Sequence, residues 1–123
     1  TGALKNQFGF LRNRERIMMH TRLKSLSKGI AEVNSIVRPS FFIVDAVDTY
    51  RHAQERRHGG SEVSLGYMLA GRDPVALDSL GLELLKVVEP GLHNERPESV
   101  DYIVHALKMG LGRMEYEVER ISG

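Results

Sequence analysis

The stretch TGALKNQFGF places Lys5 and Asn6 between two glycines. A lysine ammonium offers a point charge to an anionic group, and an asparagine amide donates and accepts hydrogen bonds beside it. Flanking glycines let a ligand approach the main chain closely. The chemistry that suits this pattern is the holding of a phosphate or carboxylate. A helix starting there would add free N–H groups to the same anion. The same residues also suit a plain structural turn, with Asn6 bonded to the backbone and Lys5 in solvent. His20 lies fifteen residues beyond Lys5. Imidazole binds metals and changes charge near neutral pH, although a lone histidine more often packs or caps.

Three aspartates, Asp45, Asp73 and Asp78, stand at or just after the ends of apolar runs. Ligands of open α/β sheets gather outside the carboxyl ends of strands, where a carboxylate binds a metal or acts as a base. Asp73 precedes Pro74 and reads as a helix N-cap. Asp78, five residues on, shares a helix face with Asp73 only in part. Asp45 is therefore the best functional candidate of the three. His52 and His58 are six residues apart, a poor spacing for one helix face, and read as loop residues. Met18 and Met19 read as core.

The elements that must position these groups are legible in the apolar spacing. Residues 22–37 read as a helix with Leu23, Leu26, Ile30, Val33 and Val37 on one face, capped by Thr21 and ended by Arg38-Pro39. SFFIVDA suits a strand buried on both faces. VDTYRHAQERRHGG reads as a long surface loop, and SEVSLGYMLAG as a second strand ending at Gly71. Residues 74–88 form a helix with Leu77, Leu80, Leu84, Leu85 and Val88 inward. Residues 98–109 form another, with Val100, Ile103, Val104 and Leu107 inward, stopped by Gly110 and Gly112. In RMEYEVERI, Met114, Tyr116 and Val118 alternate with glutamates, which reads as an edge strand. The expected fold class is α/β: a small layered sheet with buried central strands flanked by helices. Three strands bury little alone, so a missing N-terminal part or a partner subunit is expected to supply more.

The 123 residues suffice for one ordinary domain. They contain no cysteine, which excludes disulfides and zinc–thiolate sites and fits a cytoplasmic location. No apolar run approaches the roughly 20 residues of a membrane span. The net charge of +1 hides a gradient: residues 1–28 carry seven Lys or Arg against one acid, and residues 70–123 six against ten. The basic end coincides with Lys5 and Asn6, which favours a small anionic partner. It is not a nucleic-acid partner, because only Phe8 and Phe10 interleave the basic stretch and no binding module is present. Dinucleotide, Walker and nucleophile-elbow fingerprints are also absent.

Taken in order, TGALKNQFGF, a histidine, a helix, IVDAV, a glycine-bearing loop, LAGRDPVALD and ALKMGLG resemble the C-terminal half of a widespread uncharacterised family, domain of unknown function 362. The resemblance runs nearly end to end. It implies that the single α/β segment 1–123 is the C-terminal part of a longer domain. Family members usually carry an upstream half with its own strands, and some carry a ferredoxin-like iron–sulfur domain. The glycine-proline segment usual after the IVDA strand is replaced here by YRHAQERRHGG. Lys5 and His20 also loosely resemble the lysine and downstream histidine of nickel-pincer lactate racemases, in which the lysine holds the pincer cofactor and the histidine binds nickel. One lysine, one histidine and a similar spacing carry that likeness.

The expected role is part of an anion-binding cleft with Lys5, Asn6, His20 and Asp45 nearest the ligand, and with no metal assigned. One alternative is a metal-dependent enzyme of the nickel-pincer kind. Another is a scaffold or interaction domain serving an iron–sulfur redox partner. The enzyme reading requires the four side chains to meet in one pocket, and the interaction reading requires an exposed apolar patch. No reaction and no cofactor can be named from the residues.

Overall fold

A computed structural model of the chain describes residues 2–21, 25–53 and 56–122. The fold is mixed α/β, with five α-helices and one two-stranded antiparallel sheet among the described residues. Helix α4, Pro74–Val88, forms over the expected range. Asp73 caps it: one carboxylate oxygen accepts from the Val75 and Ala76 N–H groups, both at 2.9 Å. Pro74 occupies the first turn, where a missing N–H is harmless. Helix α3, Leu26–Ile36, starts at Ser25, whose hydroxyl accepts from the Lys28 N–H at 3.4 Å. It buries Ile30, Ala31 and Val33. Leu23, expected on the same stripe, lies outside the described residues.

Helix α5, Asp101–Lys108, buries Ile103 and Ala106. It stops where the sequence predicts. Gly110 enters the left-handed region at φ 71°. The Leu111 N–H then reaches back to the Ala106 carbonyl at 3.0 Å.

Strands β1, Phe42–Arg51, and β2, Ser61–Gly71, are neighbours as expected, joined as one hairpin. The register runs from Phe42 opposite Gly71 to Arg51 opposite Ser61, with an irregularity between Ala46 and Asp48. Much of the expected long loop is therefore strand. Each strand has one unpaired edge, and burial alternates along both. Phe42, Val44, Ala46 and Leu69 pack against Leu77, Leu80 and Leu84 of α4. The strands are not buried on both faces as expected: Ile43 and Met68 stand exposed on the other face, because only α4 and its neighbours cover the sheet.

Three further expectations need correction. The opening segment is not a plain structural turn: Gly2–Asn6 is helix α1, continued by a 3-10 turn over Gln7–Phe10. A five-residue helix does not persist alone, so tertiary partners must hold it. Thr21 does not cap α3. It follows helix α2, Asn13–His20, and its N–H bonds the Ile17 carbonyl at 3.2 Å. Periodicity missed α2 because the helix buries no residue. Finally, residues 113–122 form no strand. Alternation makes them fit for a ladder, but no backbone partner lies beside them among the described residues.

Two apolar clusters result. One joins Leu4, Phe8, Ile30, Val75 and Ile103. The other joins Ala3, Phe42, Leu69 and Leu77 under the sheet. Consecutive residues of α1 belong to different clusters, so α1 lies between them. Ile103 is 1% exposed and Ile36 82%. Ile103→Ala should lower unfolding free energy by about 2–5 kcal/mol through lost transfer energy and a residual cavity. Ile36→Ala should stay within about 0.5 kcal/mol of the parent. Urea denaturation of the two variants checks the assignment, and equal losses would contradict it.

Candidate functional site

Helix α4 carries three carboxylates that each accept main-chain N–H groups from a distant segment. Asp78 accepts from Ala3 at 2.5 Å and from Leu4 at 3.2 Å. Asp73, besides capping α4, accepts from Arg113 at 2.8 Å. Glu89, just past the helix, accepts from His52 in the hairpin loop and from Gly91 at 3.2 Å.

Local sequence makes the first two clamps possible. Gly2 has φ 74°, and a Cβ there would overlap the Asp78 carboxylate. A Cβ on Gly112 would overlap the carboxylate of Asp73 in the same way. Glycine is required at both places because the backbone must come within hydrogen-bonding distance of a carboxylate. The third clamp holds His52, the one non-glycine residue with positive φ among the described residues, at 69°. Its ring nitrogen also lies 3.9 Å from Glu89.

Around Asp78 the site is closed from the α3 side. Asn34 is buried, and its amide nitrogen donates to the Leu4 carbonyl at 2.7 Å and to the Ile30 carbonyl at 2.8 Å. Both main-chain polar groups of Leu4 are thus held by side chains of other helices. A cavity of about 120 Å³ opens beside this junction, between the covered face of the hairpin, α4 and α5. Its polar lining includes Asp45, Thr49, Asp78 and Tyr102. The volume is well short of the roughly 300–1,000 Å³ of an ordinary ligand pocket.

Burial dominates the electrostatics here. Desolvation pushes the Asp78 carboxyl up to about 6, although the N–H groups of Ala3 and Leu4 pull the other way. Burial and then the nearby Asp78 charge push the Tyr102 phenol up to about 12. Glu89 behaves oppositely. The His52 and Gly91 N–H groups hold it below its ordinary range. A buried carboxyl titrating near 6 has the protonation behaviour of a general acid or base, but in this fold it is engaged with the backbone.

The expected site residues occupy two places. Asp45 borders the cavity through its place on β1, but it pairs with Met68 on the exposed face of the hairpin, and its carboxylate accepts the Val47 N–H at 2.9 Å. Lys5 and Asn6 end α1 away from that lining. His20 ends α2 and sets its ring edge-on to Phe8, with centroids 6.0 Å apart. The structure therefore brings His20 close to the opening segment. It does not gather all four around this cavity. Among the described residues no three histidine, cysteine or carboxylate side chains form a metal-binding group.

Sequence reasoning ranked Asp78 below Asp45 and did not single out Gly2, Asn34 or Tyr102. The available signal was an acid inside an otherwise apolar helical segment, VALDSL. Such an acid needs a buried donor, and the structure supplies the main-chain N–H groups of Ala3 and Leu4. The profile of the family described as Domain of unknown function (DUF362) matches residues 1–83. That span contains α1, the hairpin and both Asp73 and Asp78. No curated protein and no solved structure matches the chain.

The raised Asp78 value makes stability depend on pH in a known sense. The folded chain binds this proton more tightly than the unfolded chain, whose carboxyl has the ordinary value of 3.8. The Asp78 contribution should therefore rise as pH falls from about 6 toward 4, and be lost as pH rises through 6. Relative to Asp78→Asn, which cannot titrate, the parent should gain about 2 kcal/mol between pH 7 and pH 4.5. Parallel urea titrations at the two pH values measure this difference. A parent and variant that shift equally would refute it.

Proposed function

The chain belongs to the family described as Domain of unknown function (DUF362), and from that premise we propose that it forms one wall of an anion-binding cleft. The anion, a phosphate or carboxylate, is held on the basic face of α1 and α2 by Lys5, Asn6 and His20. One observation carries this reading: within the basic first 28 residues, His20 of α2 is set against Phe8, three residues past Lys5. The side chains of Arg12, Arg14 and His20 are exposed.

The Ala3 and Leu4 N–H groups are already occupied by Asp78, so side chains must do the holding. Asp45 is left out of the anion-holding set, because its carboxylate repels an anion and already accepts the Val47 N–H. Binding through exposed side chains falls with salt, since charges are screened beyond roughly 10 Å at 0.1 M ionic strength. Loss of one charge-assisted hydrogen bond should weaken binding by about 1.5–3 kcal/mol, or roughly one to two orders of magnitude. Calorimetric titration of phosphate and of small carboxylates into the parent, Lys5→Ala and His20→Ala measures it. Equal affinity in all three would refute the assignment.

A second reading, an interaction domain, is favoured by a separate observation. Phe41, Ile43 and Met68 are exposed around the outer side of the hairpin, Ile43 by 66% and Met68 by 61%. Opposed pairs Ile43–Ala70 and Asp45–Met68 put Ile43 and Met68 on one face. Such a face, with unpaired strand edges, suits a second copy or an additional sheet. Under this reading, light scattering should show mass increasing with concentration, and Ile43→Lys should abolish the increase. A monomer at all concentrations would exclude the second copy.

A further inference from the structure

Beside β2 lies a second and larger space, about 930 Å³, bounded by Gly66–Asp73 on one side and by residues 115–122 on the other. Its two walls are extended segments tied together at both ends. At one end the Arg113 N–H donates to Asp73 at 2.8 Å. At the other the Arg120 guanidinium donates to the Tyr67 hydroxyl at 3.2 Å and lies over its ring, 5.7 Å from the centroid. The tail thus runs antiparallel to β2. Between the ties are six residue steps on one wall and seven on the other, close to equal lengths of extended chain. Yet the described residues contain no backbone hydrogen bond between the walls.

Both walls carry the requirements of a ladder. Every second residue of an edge strand directs its N–H and C=O outward, and β2 has β1 as its one partner. The tail has the period-two pattern of a strand without a partner. It also contributes Glu115, Glu117 and Glu119 to the lining, together with Arg120 on the tail itself and facing Arg72 on the other wall. Asp73 adds a further carboxylate at the tied end.

We infer that this slot is a strand-addition site: it takes an extended polypeptide strand between β2 and the tail, one carrying Lys or Arg at alternate positions. The inference is independent of the anion-binding reading, which concerns α1 and α2. The backbone of the added strand pairs with β2 on one side and with residues 114–120 on the other. Its alternate cations meet the three glutamates. Main-chain bonding supplies affinity and the alternate side chains supply selectivity, as in other strand additions. Opposite charges across the walls steer encounter and fix the register.

The probe is an end-capped Lys-Val-Lys-Val-Lys-Val peptide added to the intact 123-residue chain. Amide hydrogen exchange is followed by NMR over residues 61–71. The peptide should slow exchange of the outward N–H groups of β2. Methylating its alternate backbone nitrogens, or replacing its lysines by glutamates, should weaken binding about tenfold or more. The variant Glu115→Lys, Glu117→Lys, Glu119→Lys alters exposed side chains only. It should keep the hairpin spectrum and prefer the glutamate peptide. Equal binding of the methylated peptide would overturn the inference. So would unchanged β2 exchange at millimolar peptide. Concentration-dependent protection of β2 in the chain alone would assign the slot to a second copy instead, and would equally overturn the inference.

Discussion

A carboxylate accepting main-chain N–H groups is the interaction on which this fold depends, and α4 carries it at both ends and within its second turn. Asp78 holds the start of the chain, Asp73 the segment after α5, and Glu89 the hairpin loop. Each held segment is short or irregular: the opening helix buries Ala3 and Leu4, yet at five residues it does not persist alone. An ionised acceptor forms hydrogen bonds roughly twice as strong as a neutral one, so one side chain can order a stretch that packing alone would leave undefined. Glycines at 2 and 112 follow from that choice, because a side chain at either position would occupy the space of the carboxylate.

The three clamps differ in environment, and that difference sorts their chemistry. Asp78 is buried at the meeting point of the two apolar clusters, and there desolvation outweighs its two hydrogen bonds. Glu89 lies at the surface, where water already solvates the charge and the hydrogen bonds prevail. Charge burial at Asp78 is tolerated because the alternative is worse: unpaired N–H groups at the start of α1, inside the protein. Asn34 completes the arrangement from α3 by taking the Leu4 carbonyl. The opening helix is therefore ordered by side chains from two other helices, at both polar groups of one residue.

This arrangement changes what the opening segment can do. A helix start is a ready anion site in principle, and here the anion is the chain's own Asp78. The basic side chains of α1 and α2 lie outside the cavity that Asp78 lines. The acidic tail, at the other end of the sequence, flanks β2. Opposite ends of the charge gradient thus face different surfaces of the fold.

Much of the local structure was legible from the residues alone. Helix α4 followed from Asp73-Pro74 and a leucine stripe, the stop of α5 from Gly110, and the two strands from their apolar runs, because each depends on neighbours within a few positions. The family was legible in the same way, from motif order. Tertiary structure decided the rest. Whether Gly2–Asn6 is turn or helix depends on a carboxylate 74 and 75 residues from the N–H groups it holds, which no local pattern contains. Whether residues 113–122 become a strand depends on a backbone partner, and alternation states only that one would fit. Asp45 and Asp78 were both visible as acids. Their different positions, one exposed on β1 and one buried on α4, were set by which apolar surfaces meet. Hydrophobic burial is non-directional, so the sequence shows which residues seek cover without showing what covers them.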